Sequence, residues 1–154
     1  MNRLLRNVNF AVGALAVTAP MAHVLELPNK FALDGPTWLV VQQQLYRGWG
    51  LIFGPVEILA LATSLALLAL RRRERASLRP TLLATACYAA MLAVFFVFNA
   101  PVNAAFSGWT AATMPADWQG FRLRWEVGHA LAALLSIVAL LALIRAATGE
   151  SARA

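Results

Sequence analysis

Residues 121–145 read FRLRWEVGHALAALLSIVALLALIR. From Val127 to Ile144 the run holds no Asp, Glu, Lys or Arg, and a helix of about 20 residues crosses the roughly 30 Å of bilayer hydrocarbon. The stretch therefore reads as a membrane-spanning helix. It also carries Glu126 and His129 near its start, three residues apart and so on one helical face. Ionisable side chains at membrane depth are costly, and by default they mark functional sites.

The rest of the chain reads the same way. Of its 154 residues 60% are hydrophobic and 13% charged, with a mean hydropathy of +0.65, far from ordinary globular usage. Apolar runs over residues 4–27, 49–70, 80–103 and 121–146 make four spans. The fold class is all-α: a four-helix transmembrane bundle in one domain, residues 1–154, with the lipid bilayer as its first partner. Lys and Arg are retained on the cytoplasmic side. Arg3 and Arg6 precede the first span, RRRERASLR (71–79) joins the second to the third, and Arg145 and Arg153 follow the fourth. Both termini are thus expected in the cytoplasm, in a bacterial-type inner membrane. The net charge of +6 sits in short connections, not on a folded basic surface, which argues against nucleic acid as a partner. The single cysteine, Cys87, lies inside an apolar run, so it reads as packing and excludes a disulfide framework. The basic, apolar start resembles a signal peptide, but Pro20 spoils the small-residue pattern before Ala22, and cleavage would leave an odd number of spans.

Two longer outward connections follow from this topology. In the first, PNKFALDGPTWLVVQQQLYRGW (28–49), a short interfacial helix after Pro36 would place Trp38, Leu39, Val41 and Leu45 on one broad face. In the second, PVNAAFSGWTAATMPADWQG (101–120), Pro115 could open the fourth helix early. All five tryptophans (38, 49, 109, 118 and 125) lie in or beside these connections, as interfacial anchors or as walls of an outward pocket.

Each span brings polar residues to the outer half of the membrane, roughly 20 Å above its cytoplasmic end at about 1.5 Å per residue. They are His23 and Glu26, then Glu57, then Asn99 and Asn103, then Glu126 and His129. The inner halves read as nearly pure Leu, Ala, Val and Ile. A shared cluster lets polar groups satisfy one another in hydrocarbon, so the expectation is a buried polar pocket in the outer half. Pro20, Gly50, Gly54, Pro55 and Pro101 fall in the same layer, where they either pack helices or shape that pocket.

Three kinds of chemistry fit these residues. A single transition metal (Zn, Cu or Fe) could be held by His23 and His129 with a carboxylate from Glu26, Glu57 or Glu126. A dimetal site is disfavoured because the third helix offers amides in place of a carboxylate, and haem between the two histidines has only its geometry in support. Without a cofactor, His129 could act as general base with its tautomer fixed by Glu126, while Asn99, Asn103 or Arg122 stabilises a developing oxyanion. The third option is a structural hydrogen-bond network in a non-catalytic subunit, with Gly50 and Gly54 as a contact face for a homo-oligomer or an accessory partner. Transport is disfavoured by the apolar inner half.

NAPVN (99–103), followed after a Trp-containing loop by RWEVGHAL (124–131) and an apolar run, resembles a family of small four-helix membrane proteins that includes the anthrone oxygenases. The likeness in layout covers nearly the whole chain and rests on Asn99, Pro101, Asn103, Trp125, Glu126 and His129. Relatives often carry an arginine three residues after the histidine, where this chain has Ala132. The resemblance implies an oxygenase that oxidises an aromatic or phenolic, anthrone-type carbon with O2 and without a cofactor. His129 would be the base, Glu126 its orienting partner and Asn103 the oxyanion donor. Asn99, Trp125, Arg122 and Glu57 would line the substrate site.

Overall fold

In the computed structural model the described residues are 3–70 and 75–151. Residues 71–74 and Arg153, on which the expected orientation partly rests, lie outside them. Every regular element among the described residues is helical, as it must be where no water satisfies backbone groups. Four helices are long and apolar enough to cross a membrane: Arg3–Ala32, Trp49–Leu70, Ser77–Ser107 and Trp118–Thr148. These are the marks of an integral membrane protein.

The first crossing is longer than its apolar run. Helix α1 (Arg3–Leu25) passes almost directly into α2 (Leu27–Ala32), because Glu26 N donates to Ala22 O (3.1 Å) and Lys30 N to Glu26 O (2.9 Å). Pro28 does not stop the chain: it sits in the first turn of α2, where a missing N–H is harmless. Helix α3 (Gly35–Val40) is capped by Asp34, whose Oδ1 accepts from Thr37 N at 2.8 Å. That bond holds the exposed Asp34 carboxyl below its ordinary range. A π-helical turn, Val41–Leu45, continues α3. Gly48, at φ 84°, then turns the chain into α4 (Trp49–Leu70). The expected interfacial helix is therefore present, but its face turns inward: Trp38 and Leu39 are buried while Leu45 is exposed.

The third crossing bends where its sequence demands it. Helix α5 (Arg75–Val94) widens into a π-helical turn, Phe95–Asn99, and resumes as α6 (Ala100–Ser107). Pro101 has no N–H to give to Val97 O one turn earlier, and the Arg124 guanidinium donates to that carbonyl instead, at 2.5 Å. Helix α7 (Trp118–Ser151) starts three residues after Pro115, with Trp118 N bonded to Pro115 O at 3.2 Å.

Helices α1, α4, α5 and α7 close a ring, each packing on its neighbours in that order and α7 returning to α1. The half of the bundle that carries the two described chain ends, called the inner half from here on, is centred on Ala16, Ala60, Ala84 and Ala139 with Tyr88 and Met91, and Cys87 packs among them. The half with the two longer connections, called the outer half, is centred on Trp38, Val102, Phe106 and Trp125. Leu51, Ile52, Leu59, Leu134 and Leu141 point outward, as a lipid-facing surface requires.

One expectation needs correction. The inner half is not purely aliphatic: Asn9, Ser64, Thr81, Thr85, Tyr88 and Ser136 are all buried. Asn9 Nδ2 ties α1 to α4 by donating to Thr63 Oγ1 and Ser64 Oγ, both at 2.9 Å. Thr81, Thr85 and Ser136 donate to carbonyls three or four residues back on their own helices. Such hydroxyls are satisfied locally, so the helices tolerate them in hydrocarbon.

Gly128 lets α7 lie directly on the π-helical turn. A Cβ there would overlap the Asn99 amide and come within 2.8 Å of Phe98 Cβ. We expect Gly128→Ala to destabilise the detergent-solubilised protein by about 1–3 kcal/mol, read from thermal unfolding. Gly50→Ala, where nothing lies within 4 Å, should behave as wild type.

Candidate functional site

A buried ammonium sits at the centre of the outer half. Lys30 is 3% exposed, and its Nζ lies 3.1 Å from Glu126 Oε2, 3.6 Å from Glu26 Oε2 and 3.2 Å from His23 Nδ1. An ammonium only donates hydrogen bonds. With Lys30 protonated, His23 Nδ1 must accept, which places that ring's proton on Nε2. Tyr46 completes the group by donating its hydroxyl to Glu26 Oε2. Burial, followed by that bond to Glu26, holds the Tyr46 phenol above its ordinary range.

Helix α1 continuing through Glu26 accounts for the arrangement. His23, Glu26 and Lys30 are spaced three and four residues apart and so share one face, which α7 meets with Trp125, Glu126 and His129. The chain has two histidines, and their rings pack tilted at 45°, 4.1 Å between centres. His23 also meets Tyr46 at 4.6 Å, Trp125 at 4.7 Å and Trp49 at 5.4 Å. His129 packs against Trp125 at 4.2 Å. Lys30 Nζ lies 5.0 Å from the Trp125 ring and 5.4 Å from Tyr46, within cation–π range.

A second set of residues holds this one in place. Asn103 Oδ1 accepts the Trp125 indole N–H at 2.8 Å, and Asn99 Nδ2 donates to the Trp125 carbonyl at 2.9 Å. Together they fix the ring that walls the cluster. Arg122 donates to Lys30 O (3.0 Å) and Leu33 O (3.1 Å) and lies over Phe31 and Trp118. It clamps α2 to α7 by donating to carbonyls at the end of α2, where Lys30 O also accepts from Leu33 N at 3.3 Å.

The residues named from sequence thus fall into three groups. His23, Glu26, Glu126 and His129 come together; Asn99, Asn103, Trp125 and Arg122 support them. Glu57 is half-buried and makes no hydrogen bond or ion pair among the described residues. Glu126 pairs with Lys30, not with His129, and its Oε1 is buried without a partner among the described residues. His129 makes no hydrogen bond to the protein among the described residues and is only partly buried. For a metal, no three described His, Cys, Asp or Glu side chains form a suitable group. The point on which His23 Nδ1, Glu26 and Glu126 converge is held by a cation of the chain itself.

Lys30 and Tyr46 are site residues that the sequence reading missed. The spacing of Lys30 from His23 and Glu26 was a usable signal once the helix is carried past Pro28; Tyr46 comes from a separate segment and had none. The tryptophans divide as well: Trp38 and Trp125 are core residues, 0% and 4% exposed, and do not anchor the chain at the interface. An open groove of about 490 Å³, lined by Leu83, Val138, Leu141, Ala142, Ile144, Arg145 and Thr148, shares no residue with the cluster.

Comparison of the chain with protein-family models, with curated proteins and with solved structures returned no match.

Breaking a buried ion pair by removing one partner typically costs about 3–5 kcal/mol, because the other charge is left stranded. Lys30→Met should lower the thermal stability of the detergent-solubilised protein by about that much. Adding Glu126→Gln to Lys30→Met should recover part of the loss. A Lys30→Met protein as stable as wild type would contradict the pairing.

Proposed function

We propose that this chain is a membrane-embedded oxygenase of the anthrone-oxygenase type, with both termini in the cytoplasm. It would act on an aromatic or phenolic substrate with O2 through acid–base chemistry in the outer half of the bundle. The observation that carries the reading is the state of His129. In the cluster, Lys30, Glu126, His23, Glu26 and Tyr46 are bonded to one another. Among the described residues of the cluster, His129 alone keeps both ring nitrogens free of protein partners, although it lies against Trp125 and His23. An imidazole held in place by ring packing and not committed to a hydrogen bond suits a general base.

Overall, one activated methylene and one molecule of O2 become one ketone and one molecule of water. His129 would take the proton from an acidified C–H and leave a delocalised carbanion, which passes one electron to O2. Recombination to a peroxide and loss of water would complete the oxidation. Trp125 and Trp49 offer flat apolar walls to an aromatic substrate. The amide N–H donors of Asn103, free of partners among the described residues and with the oxygen already taken by Trp125, could bond the substrate oxyanion. The role first assigned to Glu126 changes in this reading: it holds Lys30, and His129 is oriented by its neighbouring rings. The resemblance of NAPVN and RWEVGHAL to the anthrone oxygenases supports the choice of substrate class.

The test is O2 uptake by protein in lipid nanodiscs supplied with anthrone-type and simple phenolic substrates. Wild type should consume O2 in proportion to ketone formed. His129→Ala should unfold near the wild-type temperature but lose at least about a hundredfold in turnover, the usual scale for removing a general base. No uptake by wild type with any substrate of the panel would overturn the assignment.

A further inference from the structure

The chain has two tyrosines, and their surroundings differ in a way that matters for one-electron chemistry. Tyr46 donates its hydroxyl to the Glu26 carboxylate, lies nearly parallel to Trp125 (27°, 6.0 Å between ring centres) and meets Trp49 edge-on at 5.2 Å. Tyr88 is buried in the inner half, and its hydroxyl has no partner among the described residues. Removing an electron from a phenol makes its O–H strongly acidic. In a low-dielectric interior the resulting charge is prohibitive unless a base takes the proton in the same step. Tyr46 has that base within hydrogen-bond contact, and Tyr88 has none among the described residues.

We propose that Tyr46 is a redox-active tyrosine, which gives one electron to an oxidised Trp125 and its phenolic proton to Glu26. The step balances as Trp125 radical cation + Tyr46–OH + Glu26 carboxylate → Trp125 + neutral Tyr46 phenoxyl radical + Glu26 carboxylic acid. One positive and one negative charge disappear and none is created, so the step leaves no new charge for the site to stabilise. The charges around it explain why Glu26 is the acceptor. Two carboxylates face one ammonium, and Lys30 lies closer to Glu126 (3.1 Å) than to Glu26 (3.6 Å). Protonating Glu26 leaves the Lys30–Glu126 pair intact, whereas protonating Glu126 would break the tighter contact.

The oxidising equivalent enters at Trp125, which packs against His129 in the interior of the cluster. It ends as a neutral radical on Tyr46, at the edge of the site beside the outer connection. The device draws a damaging one-electron oxidant, such as an oxygen-derived radical, away from the histidines. It does not depend on the oxygenase reading, since any one-electron oxidant strong enough to oxidise Trp125 drives it.

The experiment is flash oxidation of the full chain in detergent by a photogenerated trivalent ruthenium polypyridyl complex, followed by transient absorption and by electron paramagnetic resonance of frozen samples. Wild type should yield a tyrosyl radical that grows in as a tryptophan radical decays, more slowly in heavy water than in ordinary water. Tyr46→Phe should abolish the tyrosyl signal and leave the tryptophan radical long-lived, while Tyr88→Phe should match wild type. Glu26→Gln keeps the shape of the acceptor but not its basicity. It should slow tyrosyl formation by about a hundredfold, the scale on which a positioned proton acceptor acts. If Tyr46→Phe fails to fold, the Glu26→Gln and Tyr88→Phe results decide the matter. A tyrosyl signal that survives in folded Tyr46→Phe, one that vanishes in Tyr88→Phe, or an unchanged rate in Glu26→Gln would overturn the proposal.

Discussion

The contact between Lys30 Nζ and Glu126 Oε2, at 3.1 Å, is the constraint around which the outer half is arranged. Neither charge is tolerable alone at this depth, so the two must meet, although 96 residues separate them in sequence. For Lys30 to reach α7, the first crossing has to stay helical past Glu26 and then lean over the bundle. Arg122, one turn before Glu126 on α7, secures that position by binding the backbone at Lys30 and Leu33. The segment that follows is drawn inward as well, which is why Trp38 ends in the core and not at the lipid interface.

Pairing the strongest charges sets what the remaining groups can do. Glu126 and Lys30 occupy each other, and His23 accepts from the ammonium. His129 keeps its nitrogens free of the described protein groups while its ring is fixed by Trp125 and His23. Glu26 is the carboxylate in excess of the ammonium, and it takes the Tyr46 hydroxyl. The proposed general base and the proposed redox-active phenol are the residues that the electrostatic pairing leaves over.

The four crossings were legible because hydropathy over about 20 residues is a strong signal, and the second came out as the apolar run Trp49–Leu70. The convergence of His23, Glu26, Glu126 and His129 was legible for a physical reason too: polar groups in hydrocarbon must find one another. Lys30 was missed because Pro28 and Asn29 look like the end of a helix, and a lysine beyond that end reads as interfacial. Its meaning depends on whether Pro28 falls in the first turn of a continuing helix, which propensity does not decide. Tyr46 depends on how the first outward connection folds back. That is a tertiary matter, without a periodic signature in the sequence. The buried inner hydroxyls were overlooked for the opposite reason: bonded to their own helices, they behave nearly as apolar residues.

Those hydroxyls raise the question of whether a polar route joins the outer cluster to the opposite side of the membrane, and their bonding argues against one. Thr81, Thr85 and Ser136 spend their donors on carbonyls of their own helices, and Asn9 is used up by Thr63 and Ser64. The Tyr88 hydroxyl has no partner among the described residues to pass a proton to. Tyr88 packs in one buried cluster with Ala16, Ala60, Ala84 and Ala139, small side chains that let helices approach closely. The inner half is therefore an apolar floor whose described hydroxyls offer no run of unspent donors from the cluster to the opposite side of the membrane. A floor of this kind also keeps the local dielectric low beneath the cluster. Under that condition a paired ammonium stays paired.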